Sequence, residues 1–166
     1  MEENAAASFA AANKDLSYSD AIKRAHHECG LAYSPGEDGN HQASPAALAD
    51  RLDDTTVYVC LTSNDIVIEV EQSCSALLAR LIYSAIQSLQ ICADCGSFNV
   101  GVHFSRLDQA SGDQLKAVAR IRSRGKLDSR ASDFGALELF GSMNVAKVDP
   151  WQLIECIKRV ERDSAL

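Results

Sequence analysis

Six cations fall within fifteen residues of a chain that is otherwise acidic. Lys116, Arg120, Arg122, Arg124, Lys126 and Arg130 stand against one acid, Asp128, a net of +5. The whole chain carries −7, so the remainder carries −12. Gly112-Asp113 precedes the segment, and Lys116 and Arg120 are four apart, one turn on a helix. A glycine turn leading into a helix with cations on one face has the make-up of a phosphate site. The helix N-terminus presents unsatisfied N–H groups, and lysine and arginine supply the counter-charge. The competing reading is a solvated helix face.

A second set of residues has metal-ligand character. Cys92-Ala-Asp-Cys95-Gly96 is a C-x-x-C knuckle, and His26-His-Glu-Cys29 offers an H-x-x-C pair. Together His26, Cys29, Cys92 and Cys95 make a tetrahedral zinc set. The pairs are far apart, no second C-x-x-C exists, and His27 or Cys74 would serve as well. A dithiol redox role wants the motif at a helix N-terminus, where a thiolate is stabilised; here it ends a helix. The plainer reading is a helix end with one inward cysteine and Gly96 as C-cap. His26-His27-Glu28 also mimics the H-x-E of zinc deaminases, but Ile91 stands where their proline precedes the cysteine pair.

The elements that must position these residues read as follows. Residues 1–16 form an Ala-rich flexible tail, and 17–166 form one α+β domain. Its N-terminal part, 17–54, is helical. Ser17 and Asp20 fit a capping box for a helix from Tyr18 to Cys29. Residues 33–44 are dense in turn formers, and Ser44-Pro45 starts a short helix. The core, 55–166, opens with two β-rich runs, 56–62 and 66–70, joined by Ser63-Asn64-Asp65 as a hairpin turn. Ile66, Ile68 and Val70 face inward; Val67, Glu69 and Glu71 face solvent. A long helix spans 73–91. Phe98, Val100, Val102 and Phe104 alternate with polar residues, which predicts a strand burying those four and turning His103 to the helix-free face. A helix over 112–123 and a strand over 134–140 follow. Asp149-Pro150-Trp151-Gln152 starts the last helix, with Asp149 as N-cap and Pro150 at its first position, and Trp151 as a core anchor. The order predicts an antiparallel or mixed sheet with helices packed mainly on one face.

Two stretches carry a family resemblance. Val100-Gly101-Val102-His103 resembles the "R-V-G-I-H-x-G" strand of class III nucleotidyl cyclase homology domains. Gly112, Asp113, Leu115, Ala119, Arg120 and Ile121 fit the following "G-D-x-V-N-x-A-A-R-I". The order agrees over roughly 56–155: Asn64-Asp65 sits at the hairpin, the long helix follows, and Val145-Ala-Lys147-Val-Asp-Pro resembles the closing "L-K-G-x-x-x-P". The resemblance implies a ferredoxin-like sandwich that dimerises, with nucleotide at the interface. It gives Asp65 the role of a magnesium-binding carboxylate, Arg120 that of the arginine meeting charge on the transferring phosphate, and places Lys116 beside them. The first metal-binding strand, "D-I-x-G-F-T", has no counterpart in residues 1–55, and Lys116 replaces the motif's asparagine. Two-metal chemistry is short of a carboxylate. The expectation is therefore a degenerate, non-catalytic regulatory domain that binds a nucleotide or a protein partner, as a homodimer. A zinc-stabilised or purely structural interaction module is the alternative, and an active cyclase the second alternative.

Bulk properties narrow the classes. Net charge −7 argues against a general nucleic-acid binder. No apolar run reads as a membrane span, and the acidic, Ala-rich N-terminus is unlike a secretory signal. These point to the cytoplasm and, with six cysteines, to thiols kept reduced.

Overall fold

The structure is a computed structural model and describes residues 18–35, 55–61, 64–71, 75–104, 116–128 and 148–164. The Ala-rich tail, the helix at Ser44-Pro45, the turn at Gly112-Asp113, Cys74 and the strand over 134–140 lie outside the described residues. The fold is α+β. Helix α1 (Tyr18–Glu28) leads into a two-residue strand, β1 (Ala32–Tyr33). The hairpin strands β2 (Thr56–Val59) and β3 (Ile66–Glu71) precede α2 (Ser75–Ala93). Strands β4 (Ser97–Phe104) and β5 (Lys116–Gly125) and helix α3 (Pro150–Ser164) complete it. The sheet is antiparallel throughout, in the order β1-β2-β3-β5-β4. Since β5 runs antiparallel to both β3 and β4, those two are parallel to each other. The unit β3-α2-β4 is thus a split β-α-β crossover with β5 filling the gap.

The central correction concerns β5. The helix expected over 112–123 is, from Lys116 onward, a strand. Its residues satisfy both periods. Lys116 and Arg120 lie one helical turn apart, yet Ala117, Ala119 and Ile121 also alternate strictly with Lys116, Val118 and Arg120. Alanine, lysine and arginine favour a helix intrinsically. The slot between β3 and β4 decides otherwise, because both of the strand's hydrogen-bonding edges are paired there.

Val57, Val59, Ile66, Ile68, Val70, Ala117, Ala119 and Ile121 form one face of the sheet and pack under α2 and α3. From α2 come Leu78, Leu81, Ala85 and Leu89; from α3 come Leu153, Ile154 and Ile157. Ser84 and Ser88 are fully buried small residues on α2, and Ser88 Oγ donates to Ser84 O at 2.7 Å. Cys92 and Cys156 join α2 to α3 as a disulfide, so the expectation of reduced thiols fails at this pair. Its residues are 64 apart; closing a loop of that length restricts the unfolded chain by about 4 kcal/mol. Residues 76–93 of α2 are long and apolar enough to cross a membrane, contrary to expectation. Here one side of that helix is buried against the sheet.

The other face was expected to be solvated, and over β1 to β3 it is not. Helix α1 lies there, with Ile22 against Ala32, Tyr58 and Val67. Glu69 is 6% exposed and Lys23 3%. Lys23 Nζ lies 3.0 Å from Glu69 and 3.1 Å from Asp20. Burial alone lowers the lysine's pKa, but the hydrogen bond and charge of Glu69, joined by Asp20, outweigh it, and the net shift is upward from 10.5.

Helix α3 begins as the sequence predicts. Asp149 Oδ1 accepts from Trp151 N at 2.9 Å, and Asp149 O accepts from Leu153 N. Trp151 is not a core anchor. It is 46% exposed, and its indole Nε1 donates to Cys29 O at 2.8 Å. The buried side of α3 is Leu153, Ile154, Cys156 and Ile157. On the same side of the molecule Tyr33 donates to Glu161 at 2.9 Å. Burial, then the Glu161 charge and hydrogen bond, push the phenol's pKa well up.

Candidate functional site

The two faces of β5 do different work. Ala117, Ala119 and Ile121 are buried under α2. Lys116, Val118, Arg120 and Arg122 point to the face that carries α1. Helix α1 covers the β1–β3 end of that face, and the cluster beneath it reaches Val118 on β5, while Arg120 and strand β4 stay exposed.

Registers across the open part can be read row by row. Arg120 lies opposite Val67 on β3 and Gly101 on β4. Arg122 lies opposite Asn99, and Val118 between Glu69 and His103. Opposed residues share a face in an antiparallel pair. Asn99, Gly101 and His103 therefore stand beside the cations, and His103 is exposed as expected. Gly101 matters for what it lacks: a Cβ there would meet nothing within 4 Å. The space beside Arg120 over Gly101 is therefore open and free of side chains. The arginine itself is exposed.

Asp65 sits where the hairpin turn enters β3. Asn64 before it takes the left-handed conformation, φ 53°, which asparagine tolerates better than most residues. Asn64 also donates to Val148 O, fixing the turn to the segment that leads into α3. The Asp65 carboxylate faces Arg122, Oδ1 to Nε 3.4 Å, with its side chain 8% exposed. The structure therefore brings Asp65 together with Arg122, which sequence reasoning left without a role. Arg120 is the next residue along that strand face. Lys116 lies four residues further, about 13 Å along an extended strand, opposite Glu71. A phosphate cannot touch Lys116 and Arg120 as it would across one helical turn.

Strand β4 departs from expectation on its other face. Val100, Val102 and Phe104 were expected to be buried, and they are 41%, 42% and 51% exposed. They share the face of Ile121, Ala119 and Ala117, but α2 sits over β3 and β5 and stops short of β4. The strand carries no charged residue, and among the described residues its only strand neighbour is β5.

The zinc set does not come together. His26 packs on the Tyr58 ring, centroids 4.9 Å apart, and its Nδ1 lies 2.8 Å from Ile22 O. Cys29 is exposed at the end of α1. Cys92 is bonded to Cys156. Cys95 is the inward cysteine, its Sγ donating to Ser97 O and accepting from Ser123 Oγ, both at 3.0 Å. The residue that turns the chain at this helix end is Asp94, φ 47°, in place of the expected Gly96 cap. Among the described residues no three His, Cys, Asp or Glu side chains gather as a metal set. The chain matches no protein-family model and no curated protein.

Proposed function

We propose that the protein is a regulatory binding domain that docks an anionic protein partner on the open half of its sheet and performs no covalent chemistry. The observation that carries this reading is Arg120, exposed on β5 beside the gap at Gly101. The likeness to cyclase homology domains suits it, since the departures from that pattern remove the first metal-binding carboxylate and replace an asparagine with Lys116. A protein partner is favoured over a nucleotide for two reasons. Asp65, the remaining carboxylate, is buried against Arg122 rather than open to a metal. The apolar row on β4, exposed on the opposite face of the sheet from the cations, suits a protein surface better than a triphosphate.

A second reading is homodimerisation, which the same likeness implies. The uncharged edge of β4 favours it, because nothing on that strand repels an identical strand.

The test compares poly-L-glutamate, poly-L-lysine, and ATP or GTP with Mg²⁺ as probes of the full chain at low salt. Poly-L-glutamate is expected to bind, at least fivefold more weakly to the Arg120→Glu variant, with no thermal shift from either nucleotide. Failure of poly-L-glutamate to bind, or a nucleotide shift abolished by Arg120→Ala, overturns the reading.

A further inference from the structure

The open half of the sheet combines three features on two neighbouring strands. Strand β4 has an outer edge whose backbone groups are unpaired within the described sheet. One of its faces exposes Val100, Val102 and Phe104. On the other face, Arg120 stands directly opposite Gly101. A strand added beyond β4 would alternate its side chains between these two faces. Residues of one parity would lie beside the apolar row. Residues of the other parity would lie on the cationic face.

We infer that the partner is an extended protein segment of alternating apolar and acidic residues, which adds as a sixth strand to the outer edge of β4. This rests on the proposed reading of the domain and names its partner. Main-chain hydrogen bonds to β4 supply affinity, and the two faces supply specificity. Two strand spacings, about 10 Å, separate β5 from the added strand. The Arg120 guanidinium reaching out over Gly101 and a carboxylate reaching back span that distance between them, because no side chain intervenes at Gly101. Any other residue at 101 would stand in the path. Charge complementarity also separates this occupant from a second copy of the chain. Another β4 brings Asn99, Gly101 and His103 to the cationic face and no carboxylate.

The test uses three capped eight-residue peptides titrated calorimetrically into the full chain: alternating Val-Glu, alternating Val-Lys, and Val-Glu with every second amide N-methylated. The Val-Glu peptide is expected to bind, and each of the other two to bind at least tenfold more weakly. Arg120→Ala and Gly101→Val are each expected to weaken the Val-Glu peptide at least fivefold while leaving the far-UV circular dichroism of the chain unchanged. Equal binding of the N-methylated peptide overturns strand addition and leaves charge-driven docking on the face, so the broader reading survives. Failure of the Val-Glu peptide to bind overturns the inference. If the chain is then a dimer by light scattering and Val102→Lys makes it monomeric, a second copy holds that edge.

Discussion

Lys23 and Arg120 lie against the same face of one sheet and meet opposite fates. Lys23 arrives on α1, is 3% exposed, and is held by Glu69 and Asp20. Arg120 stands on β5, beyond the reach of α1, and remains in solvent. The difference is one of cover. Where a helix brings its own counter-charge, the sheet's polar residues become part of the core. Where none of the described helices reaches, the same kind of residue stays in solvent.

The largest expected effect is on the covered side. Lys23→Ala strands the Glu69 carboxylate in the interior and is expected to cost about 3–5 kcal/mol in urea unfolding. Arg120→Ala should change stability by no more than about 0.5 kcal/mol. Comparable losses from both would erase the distinction. Replacing the pair together, Lys23→Met with Glu69→Leu, is expected to recover most of the loss.

Next is the disulfide that closes α2 onto α3. Cys156→Ser, or reduction, should lower stability by about 4 kcal/mol. A chain equally stable with and without reductant would show that helix packing alone secures that layer.

A single register pair makes the contrast within one face. Val100 and Ile121 lie opposite each other on β4 and β5. Ile121 is fully buried, so Ile121→Ala is expected to cost about 2–5 kcal/mol. Val100→Ala, on the exposed member, should cost roughly 0.5 kcal/mol. A large loss at Val100 would mean that β4 is covered in solution.

The smallest effect is alkaline. Lys23 and Tyr33 both have folded pKa values above their ordinary ones. A raised folded pKa gives stability that is complete below the unfolded pKa and disappears as pH rises through the folded one. Melting temperature should therefore hold to about pH 10 and fall above it. Lys23→Met and Glu69→Leu together with Tyr33→Phe should flatten that decline.

Much of the fold was legible. The hairpin strands, the long helix and the start of α3 each rest on local signals: β-branched runs, a 3.6-residue apolar period, and Asp149-Pro150. Strand β5 was not, because its alternation fits two periods and only its neighbours in the sheet choose between them. The exposure of Val100 and Val102 was hidden for a related reason. Alternation marks which residues share a face, and the reach of a packed helix decides whether that face is covered. Of the candidate site, Arg120 was legible as charge. Its place opposite Gly101, and the meeting of Asp65 with Arg122, depend on register between distant segments, which no local pattern encodes. The Cys92–Cys156 pair was missed likewise, since it depends on how α2 and α3 lie together.

The indole of Trp151 clasps the end of α1 from the start of α3, across the short β1–β2 edge of the sheet. It is also the one tryptophan in the sequence. The protein therefore carries an intrinsic fluorophore at the clasp, at the opposite end of the sheet from β4. Release of α1 breaks the indole hydrogen bond and alters its emission, while a strand docking on β4 leaves that environment untouched. In a denaturant titration, tryptophan emission reports the clasp and far-UV circular dichroism reports the whole fold. If the two curves separate, the clasp opens as a local event before the sheet is lost.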